Sequence, residues 1–299
     1  MNRILDLNPP DDETAVVEPG VINAELNAAA AKHGLMYAPD PASYKISTIG
    51  GNVATNAGGL RCAKYGVTRD SVLALDVVMA DGSLMHTGHQ TFKGVAGYDL
   101  TALLVGSEGT LGIVVGVTVR LKYLPREVHT IAAFYQDFRS AAAGVLAVGR
   151  ARVQPAIMEL LDNGTLVQLD ELHGGDLQKR GKSLLLIQTD GFGAAAEADV
   201  VRQVLAESGA TVTTEASAEA EMLVEMRRNS RGVEVDDEFR WGGRHRRPAL
   251  AAGRFRSRTR SDGHPIPRPT QSSGPRRDGN LHPPTFWMDR VDPATDAEA

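Results

Sequence analysis

The spacing of apolar residues predicts a layered α/β domain over residues 1–126. Short alternating segments predict a hairpin at 3–17, and later strands at 71–79, 84–87 and 114–121. Residues 22–33 carry apolar and alanine positions at helical spacing and end at His33-Gly34, which predicts a helix that stops at the glycine. We expect Pro125 to end this domain.

A second domain is predicted at 127–230. Its elements alternate along the chain, with strands at 129–135, 156–161, 184–189 and 210–214 and helices at 138–150 and 194–208. The second strand is followed by Asp162-Asn163-Gly164, which is typical of a turn. Two successive β-α-β units of this length favour a ferredoxin-like α+β fold.

The pattern changes at residue 231. Residues 231–277 contain twelve arginines and no lysine, are rich in proline and glycine, and show no periodicity, so we expect irregular structure. One interpretation is a reading-frame excursion caused by two frameshifts. The other is an Arg-rich arm that binds a partner, an acidic surface or nucleic acid. Because the segment has no lysine and lacks aromatic residues spaced to stack bases, the arm is the less favoured interpretation.

Composition narrows the class of protein. The 299-residue chain has a formal net charge of −5, so the molecule as a whole has no nucleic-acid-binding signature. A single cysteine, Cys62, excludes an internal disulfide and suits a reducing compartment. The N-terminus has no long apolar region, and no apolar run reaches the length of a membrane span. We therefore expect a cytoplasmic protein, with peripheral membrane association left open.

Two glycine-rich stretches hold the candidate chemistry. The first is Ser-Thr-Ile-Gly-Gly-Asn-Val-Ala-Thr-Asn-Ala-Gly-Gly at 47–59, and the second is Gly-Ser-Glu-Gly-Thr-Leu-Gly at 106–112. Paired glycines allow positive φ and let backbone N–H groups approach another molecule closely. Because successive N–H groups can form a concave nest for an anion, a bound diphosphate is the leading hypothesis. A surface turn without a ligand is the alternative.

These stretches resemble those of a known family. Together with Lys64-Tyr65-Gly66, Arg69-Asp70 and Val-Ala-Gly-Tyr-Asp-Leu at 95–100, they are similar to the FAD-linked oxidases with a flavin domain of the vanillyl-alcohol-oxidase or PCMH type. Within that family the chain most resembles the glycolate oxidase FAD subunit and the D-lactate dehydrogenases, over about residues 3–228.

The resemblance implies an α+β protein with FAD as its cofactor. It places a PCMH-type FAD-binding domain, incomplete at its N-terminus, at 1–126 and a ferredoxin-like cap domain, which forms the substrate site, at 127–230. The irregular Arg-rich segment follows, and 278–299 is similar to a remnant of a cap-domain motif.

The resemblance also implies which residues contact FAD. They lie in the two glycine-rich stretches, in the turn before the first and at one tyrosine between them: Pro41, Ser43, Thr48, Ile49, Gly50, Gly51, Asn52, Thr55, Asn56, Gly58, Gly59, Tyr98, Ser107, Glu108, Gly109, Thr110, Gly112 and Ile113. For Tyr98 a second interpretation stays open, in which the ring belongs to the core and its hydroxyl has a structural partner.

The implied activity is oxidation of a small 2-hydroxy acid, of the glycolate or D-lactate class, by hydride transfer to flavin. An iron–sulfur protein or a quinone is the candidate electron acceptor. Arg227 is the candidate for binding the substrate carboxylate, because a guanidinium makes two parallel charge-assisted bonds; a solvated helix face is the alternative. His282 is the candidate proton acceptor or metal ligand, because imidazole can take either role near neutral pH.

No metal site is expected, because the resemblance implies two histidine ligands in several relatives and Pro275 stands where the first of them would be, which leaves only His282. The alternative function is a non-catalytic, truncated relative whose Arg-rich arm binds a partner or nucleic acid.

Overall fold

The chain forms two structural units in a computed structural model. The structure describes residues 1–8, 12–212 and 222–226, together with short strands at 238–241, 245–246, 280–281 and 286–289. The first unit is Met1–Pro125 and the second is Arg126–Ala299.

The first unit is built on a five-stranded antiparallel sheet. Its strands, in spatial order, are β1 (Ile4–Asn8), β2 (Thr14–Val17), β6 (Ile113–Arg120), β4 (Val72–Val78) and β5 (Leu84–Gly88). A second, two-stranded pair consists of β3 (Leu35–Met36) and β7 (Lys122–Tyr123). The predicted hairpin at 3–17 and the predicted strands are therefore present.

The described residues of this unit also form five helices: α1 (Asn23–Ala31), α2 (Ile49–Thr55), α3 (Cys62–Tyr65), α4 (Thr68–Ser71) and α5 (Leu100–Leu104). The core forms where the apolar positions of the central strands, such as Leu75 and Val117, meet Ile49 and Val53 of α2. Burial of these side chains against the sheet fixes α2, and therefore the first glycine-rich stretch, on a rigid base.

The second unit has the ferredoxin-like order of elements. Its elements in chain order are β8 (Val128–Tyr135), α6 (Phe138–Arg150), β9 (Ile157–Asp162), α7 (Asn163–His173), α8 (Leu177–Arg180), β10 (Ser183–Asp190), α9 (Ala194–Glu207) and β11 (Thr211–Val212). The strands pair antiparallel in the order β11-β8-β10-β9. The predicted ferredoxin-like α+β fold is confirmed, with α7 and α8 as an addition between β9 and β10.

Both faces of this second sheet are covered. Residues of α6 and α9 pack on one face with Ile131 and Leu185, and residues of α7, α8 and the helical turn at 222–226 pack on the other with Phe134 and Leu186. Close packing on the first face requires a glycine in α6, since a Cβ at Gly144 would lie 2.1 Å from the hydroxyl of Tyr135.

The segment at 162–164 differs from the prediction of a turn. Asp162 ends β9 and its carboxylate accepts hydrogen bonds from the backbone N–H and the hydroxyl of Thr165, at 2.9 and 2.7 Å. Asp162 is therefore the N-cap of α7, because its oxygen satisfies a donor that the first helical turn leaves without an intrahelical partner.

Part of the predicted irregular segment at 231–277 forms short strands. Glu238–Trp241 pairs antiparallel with Phe286–Asp289, and His245–Arg246 pairs antiparallel with Asn280–Leu281. The other residues between 231 and 277 lie outside the described part of the chain.

Candidate functional site

The first glycine-rich stretch folds as a short helix with a cap at each end. The hydroxyl of Thr48 accepts a hydrogen bond from the Gly51 N–H at 3.0 Å and forms the N-cap of α2. Asn56 ends the helix in the left-handed conformation, with φ 46° and ψ 54°. The sequence Thr-Ile-Gly-Gly therefore supplies a helix start, and Asn56 supplies the residue type that best tolerates a left-handed C-cap after glycine.

The backbone amides of this stretch do not form the predicted open nest. The first-turn donors of α2 bond within the chain: Ile49 to the Val21 carbonyl at 2.8 Å, Gly50 to the Pro19 carbonyl at 2.8 Å, and Gly51 to Thr48. Further along, Ala57 donates to the Asn52 carbonyl at 2.8 Å and Gly59 donates to the sulfur of Cys62 at 2.8 Å. The amides of α2 are therefore already bonded within the chain, which differs from the exposed donors that the sequence predicts.

Two glycines of the stretch are required by close packing. A Cβ at Gly50 would lie 2.4 Å from the Cβ of Pro19, and a Cβ at Gly59 would lie 2.2 Å from a carboxylate oxygen of Asp40. Any side chain at either position would force the neighbouring segment away. These glycines hold the turn Asp40-Pro41 and the end of β2 against the stretch.

The second glycine-rich stretch docks directly on the C-terminal end of α2. The Gly106 N–H donates to the Val53 carbonyl at 2.9 Å, and the Glu108 N–H donates to the Ala54 carbonyl at 3.0 Å. The last carbonyls of a helix lack intrahelical donors, so the second stretch provides them. The fold thus brings the two stretches together edge to edge.

A third segment, which contains Thr68 and Arg69, bonds to the place where the end of the first stretch meets the start of the second. We call this place the junction. The Arg69 N–H donates to the Asn56 side-chain oxygen at 2.9 Å, and the Arg69 guanidinium donates to the Val105 carbonyl at 3.2 Å. Thr68 adds a hydroxyl bond to the Ala57 carbonyl at 2.8 Å. Arg69 therefore contacts the end of the first stretch with its backbone and the start of the second with its side chain.

The second stretch keeps an exposed turn with strained backbone. Glu108 has φ 51°, Gly106 has φ 88° and Gly109 has φ 78°. With the left-handed Asn56 beside them, two non-glycine residues with positive φ meet at one junction, an arrangement that recurs at ligand-binding sites. Within the described part of the chain, the amides of Gly58, Gly109 and Leu111 donate no hydrogen bond.

Other residues predicted to contact FAD, in both stretches, have structural partners within the chain. The backbone carbonyl of Ser107 accepts hydrogen bonds from the Thr110 N–H at 3.0 Å and from the Thr110 hydroxyl at 2.6 Å. A Cβ at Gly112 would lie 2.6 Å from the side chain of Val77, so this glycine lets the turn pass close to β4. The hydroxyl of Thr55 donates to the Gly51 carbonyl at 3.0 Å, inside α2.

Several apolar side chains near the second turn in the sequence are exposed. Val95, Tyr98, Leu103, Leu111 and Ile113 expose large hydrophobic side chains between residues 95 and 113, and Tyr98 is 95% exposed. The core interpretation of Tyr98 is therefore wrong. Exposed apolar side chains this close in the sequence to a strained glycine-rich turn are typical of a surface that another molecule covers.

The turn before the first stretch is half enclosed. Pro41 is buried, and its carbonyl accepts from the Tyr44 N–H at 2.8 Å; Ser43 is half-buried, and its carbonyl accepts from the Ser47 N–H at 2.8 Å. Asn52 is buried on α2 with 2% exposure, and its side-chain nitrogen has no hydrogen-bond partner in the described part of the chain. A buried donor without a partner costs stability, because it loses its hydrogen bonds to water on folding.

The two predicted catalytic residues, Arg227 and His282, lie outside the described residues, as does Pro275. The nearest described residue before Arg227 is Met226, whose side chain is buried with the core on the α7 face of the second sheet. Among the described residues, no group of three or more His, Cys, Asp or Glu side chains is arranged to hold a metal ion.

Comparison with known proteins identifies the family. The FAD binding domain model matches residues 1–88, and the model of the FAD linked oxidases, C-terminal domain, matches residues 124–244. The chain belongs to the FAD-linked oxidases. It is 43% identical over 234 residues to the glycolate oxidase subunit GlcD of Bacillus subtilis (strain 168), covering 77% of this chain and 50% of that protein.

A second relative and a solved structure point to the same family and fold. It is 36% identical over 197 residues to a D-lactate dehydrogenase of Archaeoglobus fulgidus, covering 65% of this chain and 44% of that protein. The chain thus spans about half the length of these relatives, or less. A solved structure of p-cresol methylhydroxylase with bound substrate shares the fold at a TM-score of 0.77 and 15% identity, covering 99% of this chain and 66% of that one. The predicted PCMH-type fold class is confirmed.

The cofactor of this family is FAD. The first unit provides some, but not all, of the groups expected to bind FAD. The exposed turn at 106–112 offers unused amides, and the neighbouring exposed apolar side chains suit a flat ring system. The amides of α2 are not available, so α2 acts as the base that holds the exposed turn in place.

One residue of the junction was missed from the sequence. In the sequence Arg69 belongs to a short motif with Asp70, whereas its contacts with Asn56 and Val105 are set by the fold. Its two partners lie 13 and 36 positions away, so no local pattern could have revealed them.

In the described part of the chain, no helix has the length and apolarity to cross a bilayer.

Proposed function

We propose that this FAD-linked oxidase oxidises a small 2-hydroxy acid, of the glycolate or D-lactate class, with FAD bound at the junction of the two glycine-rich stretches. The observation that carries the proposal is the docking of Gly106 and Glu108 on the Val53 and Ala54 carbonyls, which makes one surface from two distant segments. The glycolate oxidase subunit and the D-lactate dehydrogenase among the relatives indicate the substrate class.

The residues of the chain have separate roles in this proposal. Unused amides at Gly58, Gly109 and Leu111 bind polar atoms of the cofactor, and the exposed ring of Tyr98 packs against it and excludes water. When bound, the flavin supplies the acceptor for the hydride of the substrate carbinol. An iron–sulfur protein or a quinone is the proposed final acceptor.

Substrate binding is assigned to the second unit. Arg227 orients the substrate carboxylate through a two-bond contact, and His282 accepts the hydroxyl proton. An arginine is suited to this task because its planar fork fixes the carboxylate, and thereby the carbinol carbon, in one orientation.

Anaerobic titration of the purified, FAD-loaded chain tests the proposal. We expect bleaching of the visible flavin absorption by glycolate or D-lactate, with L-lactate as the stereochemical control. Arg227→Lys should raise the half-bleaching concentration about tenfold, because one of the two charge-assisted bonds is lost.

Arg228→Lys is the matched control, since it makes the same change at the next position and should leave the titration unchanged. Protein that stays colourless after incubation with FAD contradicts the proposal and supports a non-catalytic relative. Bleaching that responds equally to both substitutions refutes the role of Arg227.

A further inference from the structure

Arg69 differs from the other arginines of the first unit. Arg3 pairs with Glu18 at 2.8 Å, Arg61 lies 3.9 Å from Asp40, and Arg120 stacks on the ring of Phe92 at 4.2 Å from its centroid. Among the described residues, the guanidinium of Arg69 meets neither a carboxylate nor a ring. Its charge is therefore not neutralised by any residue in the described part of the chain.

The position of this cation is fixed. The backbone N–H of Arg69 is bonded to Asn56, and one guanidinium nitrogen is bonded to the carbonyl of Val105, the residue before Gly106. Because a guanidinium has five N–H donors, the bond to Val105 leaves several of them for a ligand. Residue 69 is exposed, so these donors reach the surface of the junction.

A cation is needed at this junction if a diphosphate binds there. The first-turn amides of α2 are used within the chain, and Glu108 adds a carboxylate to the exposed turn. The two glycine-rich stretches contain no lysine or arginine. A few backbone amides beside a carboxylate would leave most of the charge of a diphosphate without compensation.

We infer that Arg69 binds the diphosphate of FAD at the junction between the two glycine-rich stretches. The inference rests on the proposed cofactor site and adds a residue to it. The bond to Val105 orients the guanidinium, and the planar fork gives two-point contact with phosphate oxygens. The cation thus takes the place of the first-turn amides of α2, which are bonded to Val21, Pro19 and Thr48.

The test compares ligands with and without phosphate. Dissociation constants for FAD and for riboflavin are measured by fluorescence titration on the full chain, on Arg69→Gln and on Arg69→Lys. Arg69→Gln should weaken FAD about tenfold to a hundredfold and change riboflavin less than about twofold, because only FAD carries the diphosphate. Arg69→Lys should recover part of the FAD affinity, and added salt should weaken FAD binding most in the wild type.

The control is Arg3→Gln, which removes a guanidinium from a surface pair of the same unit and should leave both constants unchanged. Equal weakening of FAD and riboflavin by Arg69→Gln would show that Arg69 only holds the two stretches together, and would overturn the inference. Unchanged FAD affinity would also overturn it while leaving the proposed function intact. A wild-type chain that binds neither ligand contradicts the proposed function and the inference with it.

Discussion

Asn56 is the residue at which the structure of the junction can be probed most directly. Its backbone is left-handed and its side chain accepts the Arg69 N–H at 2.9 Å. Asn56→Gly removes the hydrogen bond but keeps a residue that adopts this backbone without strain. Asn56→Ala removes the bond and also puts alanine, which avoids the left-handed conformation more strongly than asparagine does, at this position.

The two effects have different magnitudes. A single hydrogen bond between protein groups contributes about 1 kcal/mol to the free energy of unfolding. A left-handed alanine costs about 1–2 kcal/mol more than a glycine at the same position. We therefore expect a loss of about 1 kcal/mol for Asn56→Gly and about 2–3 kcal/mol for Asn56→Ala.

Urea unfolding followed by far-ultraviolet circular dichroism measures both losses, with free energies taken from linear extrapolation. The order of stability should be wild type, then glycine, then alanine. An alanine variant at least as stable as the glycine variant would refute a left-handed residue 56, and with it the docking of the two stretches described above.

Three further predictions concern other parts of the fold. The hydrogen bond and charge of Arg3 hold the pKa of Glu18 down to about 2 from its usual 4.5, so its contribution to stability is complete above pH 4.5 and lost as the pH falls towards 2. Glu18→Gln should flatten that part of the acid-unfolding curve, and an unchanged curve would exclude the pair. Gly144→Ala should cost about 1–3 kcal/mol by overpacking, whereas Gly149→Ala in the same helix, with open space at its Cβ, should be neutral or stabilising by up to about 1 kcal/mol; thermal unfolding distinguishes them, and equal effects contradict the packing. Tyr98→Ser should leave unfolding within about 0.5 kcal/mol of wild type, because the ring is exposed, yet weaken FAD in a fluorescence titration; a large loss of stability would place the ring in a core.

Local sequence patterns predicted most of the fold because its elements follow their own periodicity. The helix predicted at 138–150 is present as α6, Phe138–Arg150, since its apolar positions recur on one face and Asp137 caps its start. The helix α7 was missed because Asp162-Asn163-Gly164 has the composition of a turn. An aspartate that can close a turn can equally cap a helix, and the choice depends on the residues that pack behind it.

The site was harder to predict because its contacts are distant in sequence. The glycines at positions 50 and 59 suggest exposed amides in the sequence. In the fold they pack closely against Pro19 and Asp40, which lie far earlier in the chain, and this close packing requires glycine. The sequence indicated which stretches matter, through their similarity to a family. The tertiary structure decides which of their donors remain for a ligand.

Residue-resolved amide hydrogen exchange with and without FAD tests the central claim, that the cofactor binds at the junction of the two stretches. FAD should slow exchange at Gly58, Gly109 and Leu111, whose amides donate to no other group in the described chain, and leave the already bonded amides of Ile49 and Gly50 nearly unchanged. Bound FAD that leaves residues 56–60 and 106–112 unprotected, while slowing exchange in another part of the chain, would contradict the site proposed here.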